Sequence, residues 1–130
     1  MSSQQAPTVT EYFSVDDLHH VRVLVERACA AVGMSAERIY RLVSAVNEIA
    51  INAVKYAGGW GVLTVRQTPH GVSVEVSDRG PGLSEALPTK PPSVDATAGR
   101  GLWIARRQCP DMTVNSSPDG VRVRFFMAVG

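Results

Sequence analysis

Apolar residues change their spacing along the chain, and the changes mark out its elements. Residues 8–13 are rich in Thr, Val, Tyr and Phe and predict a short first strand, after a polar stretch over residues 1–7 that reads as a flexible tail. Ser14 then opens a helix, with Asp17 three residues on in a capping-box-like pattern. Leu18, Val21, Val25, Ala28, Cys29 and Val32 recur at helical spacing, and Gly33 is a natural stop. A second helix begins near Ser35 and carries a single apolar stripe, Ile39, Leu42, Val43, Val46, Ile49, Ala50, Ala53 and Val54, until Gly58 and Gly59 end it. The period then drops to two, so that residues 62–66 and 72–77 read as strands around a turn at Pro69, His70 and Gly71. Residues 84–98 are rich in Pro, Ser and Thr and show no apolar period; a connection that long inside a compact domain reads as a functional lid. A short helix over residues 102–108, opening just after Gly99-Arg100-Gly101, precedes a last hairpin of residues 112–116 and 121–129 around Pro118-Asp119-Gly120. The order is β-α-α-β-β-loop-α-β-β. Strands joined mostly by hairpins predict an α/β chain of the two-layer α+β kind: a mixed, largely antiparallel sheet with helices on one face.

Composition narrows the class of protein. A length of 130 residues suits one domain, expected over residues 8–130. Apolar residues at 45% and charged residues at 19% argue against a disordered chain. A net charge of +1 gives no strong field toward nucleic acid or an anionic membrane, so neither is an expected partner. Cys29 and Cys109 match no zinc or redox spacing and read as free thiols of a reducing compartment. With no apolar run of membrane-spanning length and no apolar stretch near the N-terminus, a cytoplasmic location is expected.

Three segments carry candidate chemistry. On the second helix Arg41, Glu48, Asn52 and Lys55 fall opposite the apolar stripe. Glu48 and Asn52 are four apart and therefore neighbours; a carboxylate beside an amide can hold a hydrated Mg²⁺ and position a nucleophile. Asp78-Arg79-Gly80-Pro81-Gly82 sets a carboxylate at a strand end, able to accept a hydrogen bond from a purine amine, with glycines that admit a flat ligand. Gly99-Arg100-Gly101 before a helix offers backbone N–H groups to phosphate. Taken singly, these segments also describe a solvated helix face, a Gly-Pro turn and a hinge. His19 and His20 are adjacent on a helix, point about 100° apart and form no joint metal site.

Together and in this order, the segments resemble the ATP-binding domain shared by gyrase, Hsp90, histidine kinases and MutL. Asn47-Glu48-Ile49-Ala50-Ile51-Asn52-Ala53-Val54-Lys55-Tyr56 resembles the N-box of that superfamily, Asp78-Arg79-Gly80-Pro81-Gly82-Leu83 its Asp-x-Gly-x-Gly box, and Gly99-Arg100-Gly101-Leu102 its last glycine box. The resemblance runs over about residues 35–128 and is closest to the bacterial anti-sigma factor serine/threonine kinase branch. It departs at one point: the fuller last box has an earlier glycine, where Ala96-Thr97-Ala98 stand here.

The resemblance implies a Bergerat-type ATP-binding fold using ATP and Mg²⁺, with residues 84–98 as the ATP lid. It implies that Asp78 reads the adenine amino group and that Gly80 and Gly82 let the base sit close. Asn52 would bind the Mg²⁺ that bridges the phosphates. Gly99, Arg100, Gly101 and Leu102 would contact the phosphates, the glycines and Leu102 through backbone N–H groups. Lys55 would offset phosphate charge, and Glu48 would be the general base on a protein serine or threonine hydroxyl. The implied partners are a sigma factor, which the protein binds, and a STAS-domain anti-anti-sigma protein, which it phosphorylates. A homodimer is implied as well, with residues 8–13 offering a sheet edge. The alternative is a non-catalytic ATP-binding switch that regulates a partner by nucleotide state. The catalytic part of a histidine kinase fits less well, because no acidic residue directly follows His19-His20 and one helix precedes the N-box helix.

Overall fold

The periodicities of the sequence reappear as elements in the computed structural model, which describes residues 8–56, 58–79 and 97–130, apart from the side chains of residues 56 and 97–100. In chain order these are β1 (Thr8–Ser14), a single 3₁₀ turn (Val15–Asp17), α1 (Leu18–Ala31), α2 (Ala36–Tyr56), β2 (Trp60–Thr68), β3 (Gly71–Ser77), α3 (Thr97–Gln108), β4 (Met112–Ser117) and β5 (Gly120–Ala128). The strands form one five-stranded sheet in the order β1-β2-β3-β5-β4. Every pairing among the described residues is antiparallel, so the mixed character expected from the sequence is absent there. A parallel neighbour needs one crossover helix between two strands; here two helices separate β1 from β2, and a helix plus a strand separate β3 from β5.

Alternation puts one side chain in two on each face of the sheet. Phe13, Leu63, Val65, Val74, Val76, Val123, Phe125 and Met127 are buried against Val21, Val25 and Cys29 of α1 and Leu42, Val46, Ile49 and Ala53 of α2. Each buried Val or Leu contributes about 1.5–3 kcal/mol. Both helices pack on β2 and β3, α2 reaches β5, and α3 packs on α2, which gives the helical layer expected on one face. The opposite face is polar. There Thr64, Glu75, Arg124 and Thr113 follow one another across the sheet, and Glu75 pairs with Arg124 at 2.8 Å and Arg122 at 3.4 Å.

Local chemistry sets the helix ends. Asp17 Oδ2 accepts from the Ser14 backbone N–H at 2.9 Å and from its hydroxyl at 3.2 Å. After α1, Gly33 takes φ +80° while its N–H donates to Ala30 O and that of Met34 donates to Cys29 O, the paired bonds of a Schellman ending. Among the described residues no helix is long and apolar enough to cross a membrane.

Candidate functional site

The stripe that buries α2 against the sheet turns Arg41, Glu48, Asn52 and Lys55 away from it, and α3 lies along that side. Two of the contact points define their relative direction. A Cβ on Gly101 would stand 2.8 Å from Asn52 Nδ2 and 3.1 Å from its Oδ1. Eleven residues earlier on α2, Arg41 Nε donates to the Gln108 carbonyl at 3.1 Å. Residue numbers fall along α2 as they rise along α3, so the two helices run antiparallel and Glu48 lies between the two points. Leu102 and Ala105, both buried, anchor α3 to the core.

Helix α3 opens at Thr97, several residues before the start expected from the sequence, and takes in Gly99, Arg100 and Gly101. Two glycines disfavour a helix by about 1 kcal/mol each. Packing on α2 overrides this, and at Gly101 the close approach to Asn52 requires the missing side chain. In an α-helix only the N–H groups at the very start lack intrahelical partners. Gly99 belongs to that first turn; the N–H groups of Gly101 and Leu102 lie deeper, in the helical ladder.

Asp78 follows the last residue of β3 and is held by the start of β5. Its N–H donates to Val121 O at 2.9 Å, and the Val121 N–H donates to Asp78 Oδ1 at 3.3 Å. Gly120 adopts φ +151° and lies so close that a Cβ there would collide with the Asp78 carbonyl oxygen. The structure thus ties Asp78 to β5 and Asn52 to α3. Gly80, Gly82 and the greater part of the lid, residues 84–96, lie outside the described residues. Lys55 sits in the last turn of α2. Asn47, the first residue of the N-box segment, faces α1 instead, where its Oδ1 accepts from Arg22 Nη1 at 3.1 Å.

Two residues of the Asp78 setting, Gly120 and Val121, went unread in the sequence as part of the site. Gly120 had a signal, its place in a Pro-Asp-Gly turn; Val121 contributes only main-chain groups, which every residue type but proline carries. A cavity of about 420 Å³ opens beside Asp78 and Arg79, lined further by Trp60, Val62, Asn115 and Arg122. It lies on the polar face of the sheet, away from Asn52 and Gly101, and is distinct from the space between α2 and α3.

The remaining candidates serve the scaffold. His20 Nε2 lies 2.9 Å from Glu11 Oε1 and ties α1 to β1. Cys29 and Cys109 are buried free thiols. Burial pushes the Cys29 thiol up to about 11 and raises that of Cys109, whose Sγ donates to Phe126 O at 3.4 Å.

A nucleotide with Mg²⁺ fits what is present. The amide oxygen of Asn52 is a hard oxygen donor of the kind Mg²⁺ takes alongside phosphates, and the Glu48 carboxylate lies one turn away on the same helix. The missing Cβ of Gly101 leaves room for the Asn52 amide where it stands.

Comparison with known proteins follows the same lines. The family profile of the histidine kinase-like ATPase domain matches residues 13–127. No curated protein matches the chain. Among solved structures, the RsbU and RsbW domains of Rv1364c from Mycobacterium tuberculosis superpose with a TM-score of 0.68 at 16% identity, over 95% of this chain and 32% of that one. The catalytic domain of the histidine kinase ThkA superposes with a TM-score of 0.55 at 22% identity, over 93% of this chain and 96% of that one. The histidine kinase domain of the blue-light activated kinase from Erythrobacter litoralis EL346 gives 0.55 at 16% identity, over 99% of this chain and 70% of that one. The chain thus spans about a third of the first of these structures.

Proposed function

The chain belongs to the histidine kinase-like ATPase domain family, and from that membership and the site geometry we propose that it is an ATP-dependent protein serine/threonine kinase and anti-sigma factor. In this reading it binds a sigma factor and phosphorylates a STAS-domain anti-anti-sigma protein. The observation that supports it most is the seating of Gly101 on Asn52, which brings the beginning of α3 alongside the N-box helix. The fold likeness to a chain containing an RsbW domain is compatible with that branch.

Each residue has one task. Asp78 accepts a hydrogen bond from the adenine amino group, with Gly80 and Gly82 giving the base room. The first-turn N–H groups of α3, Gly99 among them, hold phosphate oxygens, where an N-terminal helix end favours negative charge. Arg100 and Lys55 offset phosphate charge; Gly101 and Leu102 fix the helix. Asn52 would hold Mg²⁺, which would supply neutralisation of phosphate charge when bound. Glu48 accepts the proton of the partner's serine or threonine hydroxyl as that oxygen bonds to the γ-phosphorus. ADP leaves with the electron pair of the broken P–O bond. Phosphoryl transfer asks mostly for positioning and electrostatics, so few protein groups suffice. A homodimer belongs to the same proposal. β1 is an edge strand of the sheet, with Val9 and Tyr12 exposed along it.

The test is transfer of labelled γ-phosphate to a STAS-domain protein. Wild type is expected to transfer, and Glu48→Gln to bind ATP normally while losing about 10²–10⁴ in rate, the usual contribution of a general base. Full transfer by Glu48→Gln removes Glu48 from the chemistry. ATP binding without transfer to any such partner turns the reading to a non-catalytic nucleotide switch.

A further inference from the structure

The carboxylate of Asp78 accepts a hydrogen bond from the β4–β5 hairpin. Two hydrogen bonds join the elements, one between main chains, Asp78 N–H to Val121 O at 2.9 Å, and one to the side chain, Val121 N–H to Asp78 Oδ1 at 3.3 Å. The second engages one carboxylate oxygen and favours one rotation of the group. Gly120 allows both, because its φ of +151° is one that side-chain-bearing residues rarely adopt. A Cβ there would also meet the carbonyl of Asp78 and come within 3.0 Å of Arg79 Cα. Two independent constraints, conformation and space, therefore demand glycine at the residue before the donor. The obstructing atoms are backbone, which cannot turn aside as a side-chain end can.

We propose that Gly120 and the Val121 N–H are positioning elements for nucleobase recognition: they aim the Asp78 carboxylate at the 6-amino group of a purine and so set the preference for adenine. This rests on the reading of Asp78 given above. A carboxylate has two oxygens and about four lone-pair directions. A donor fixed on Oδ1 restricts the ways in which the group accepts from a ligand, and a misaligned acceptor loses most of a hydrogen bond. Selection between a base with an amino group and one without depends on that alignment, while the phosphate contacts on α3 are indifferent to it.

The experiment is a double-mutant cycle on the full chain, using calorimetry with Mg·ATP and with the analogue triphosphate of unsubstituted purine, which lacks the 6-amino group. Gly120→Ala is expected to weaken ATP binding about tenfold or more and to shrink the preference for ATP over the analogue. In the Asp78→Ala background the same change is expected to have almost no further effect, because its target is gone. An equal loss of both nucleotides in both backgrounds, or no loss at all, overturns the proposal. If Gly120→Ala does not fold, an amide-to-ester replacement at Val121 made by semisynthesis removes the donor without adding a side chain and is expected to reduce the same preference; an unchanged preference overturns the proposal by this route too. Unchanged ATP affinity in Asp78→Ala alone overturns the adenine-reading role of Asp78 and this inference with it. A loss in Asp78→Ala with none in Gly120→Ala overturns only the inference.

Discussion

Asp78 shows how much one residue's chemistry depends on groups that carry no sequence label. The residue stood out in the chain as a carboxylate at a strand end ahead of two glycines. Its proposed role predicts that Asp78→Ala loses a charge-assisted hydrogen bond to the base, about 1.5–3 kcal/mol, or roughly tenfold to a hundredfold in ATP affinity. Calorimetry on the folded variant measures this, and an unchanged dissociation constant would remove Asp78 from the pocket. The hold on Asp78 was not legible, because Val121 acts through its N–H and its side-chain type is irrelevant there. Glu48 and Asn52 were legible for the opposite reason: a four-residue spacing on a long helix with one apolar stripe fixes their neighbourhood without knowledge of the tertiary structure.

At the scale of elements, α2 was plain and α3 was not. Twenty-one residues with one stripe leave α2 little alternative. The start of α3 contains two glycines, and local propensity placed the helix boundary after them; the helix instead begins at Thr97 and packs on α2 from Gly101 onward. The contact makes a specific prediction. Gly101→Ala sets a methyl 2.8 Å from Asn52 Nδ2, the end of a side chain that can rotate away. Stability is therefore expected to hold or to rise by up to about 1 kcal/mol from helix propensity. The Asn52 amide is expected to leave its place, so that the Mg²⁺-dependent part of ATP affinity falls about tenfold. Thermal melts and calorimetry with and without Mg²⁺ separate the two effects. A variant that keeps its Mg²⁺ dependence would remove Asn52 from metal binding.

Over the whole molecule, the two-layer arrangement was readable from the change of period, since helices with one apolar face must cover a sheet with one apolar face. What the periods did not carry was strand order, which depends on which edges meet after the chain has turned back. The shared core has a measurable alkaline limit. The Cys29 thiol is pushed from 9.0 up to about 11 by burial, so the folded state keeps its proton where the unfolded chain has lost it. Stability from this group is present in full below pH 9 and falls as pH rises from 9 toward 11, by about 2–3 kcal/mol in total. Denaturant midpoints over that range, compared with Cys29→Ala, are expected to show a steeper decline for the wild type. Parallel declines would mean that the thiol is solvated in the folded state.

Inside edge strand β1, the sheet is two hairpins, β2–β3 and β4–β5, that meet along one seam, the pairing of β3 with β5. Asp78 and Val121 are the stitch at the end of that seam. A molecule that grips Asp78 therefore grips the seam, and holds the hairpins together from outside the hydrophobic core. Ligand binding of this kind favours the joined state in proportion to ligand concentration. An adenine nucleotide read through Asp78 would then act as a removable staple, so that the cohesion of the sheet follows the supply of that ligand as well as the packing of the chain.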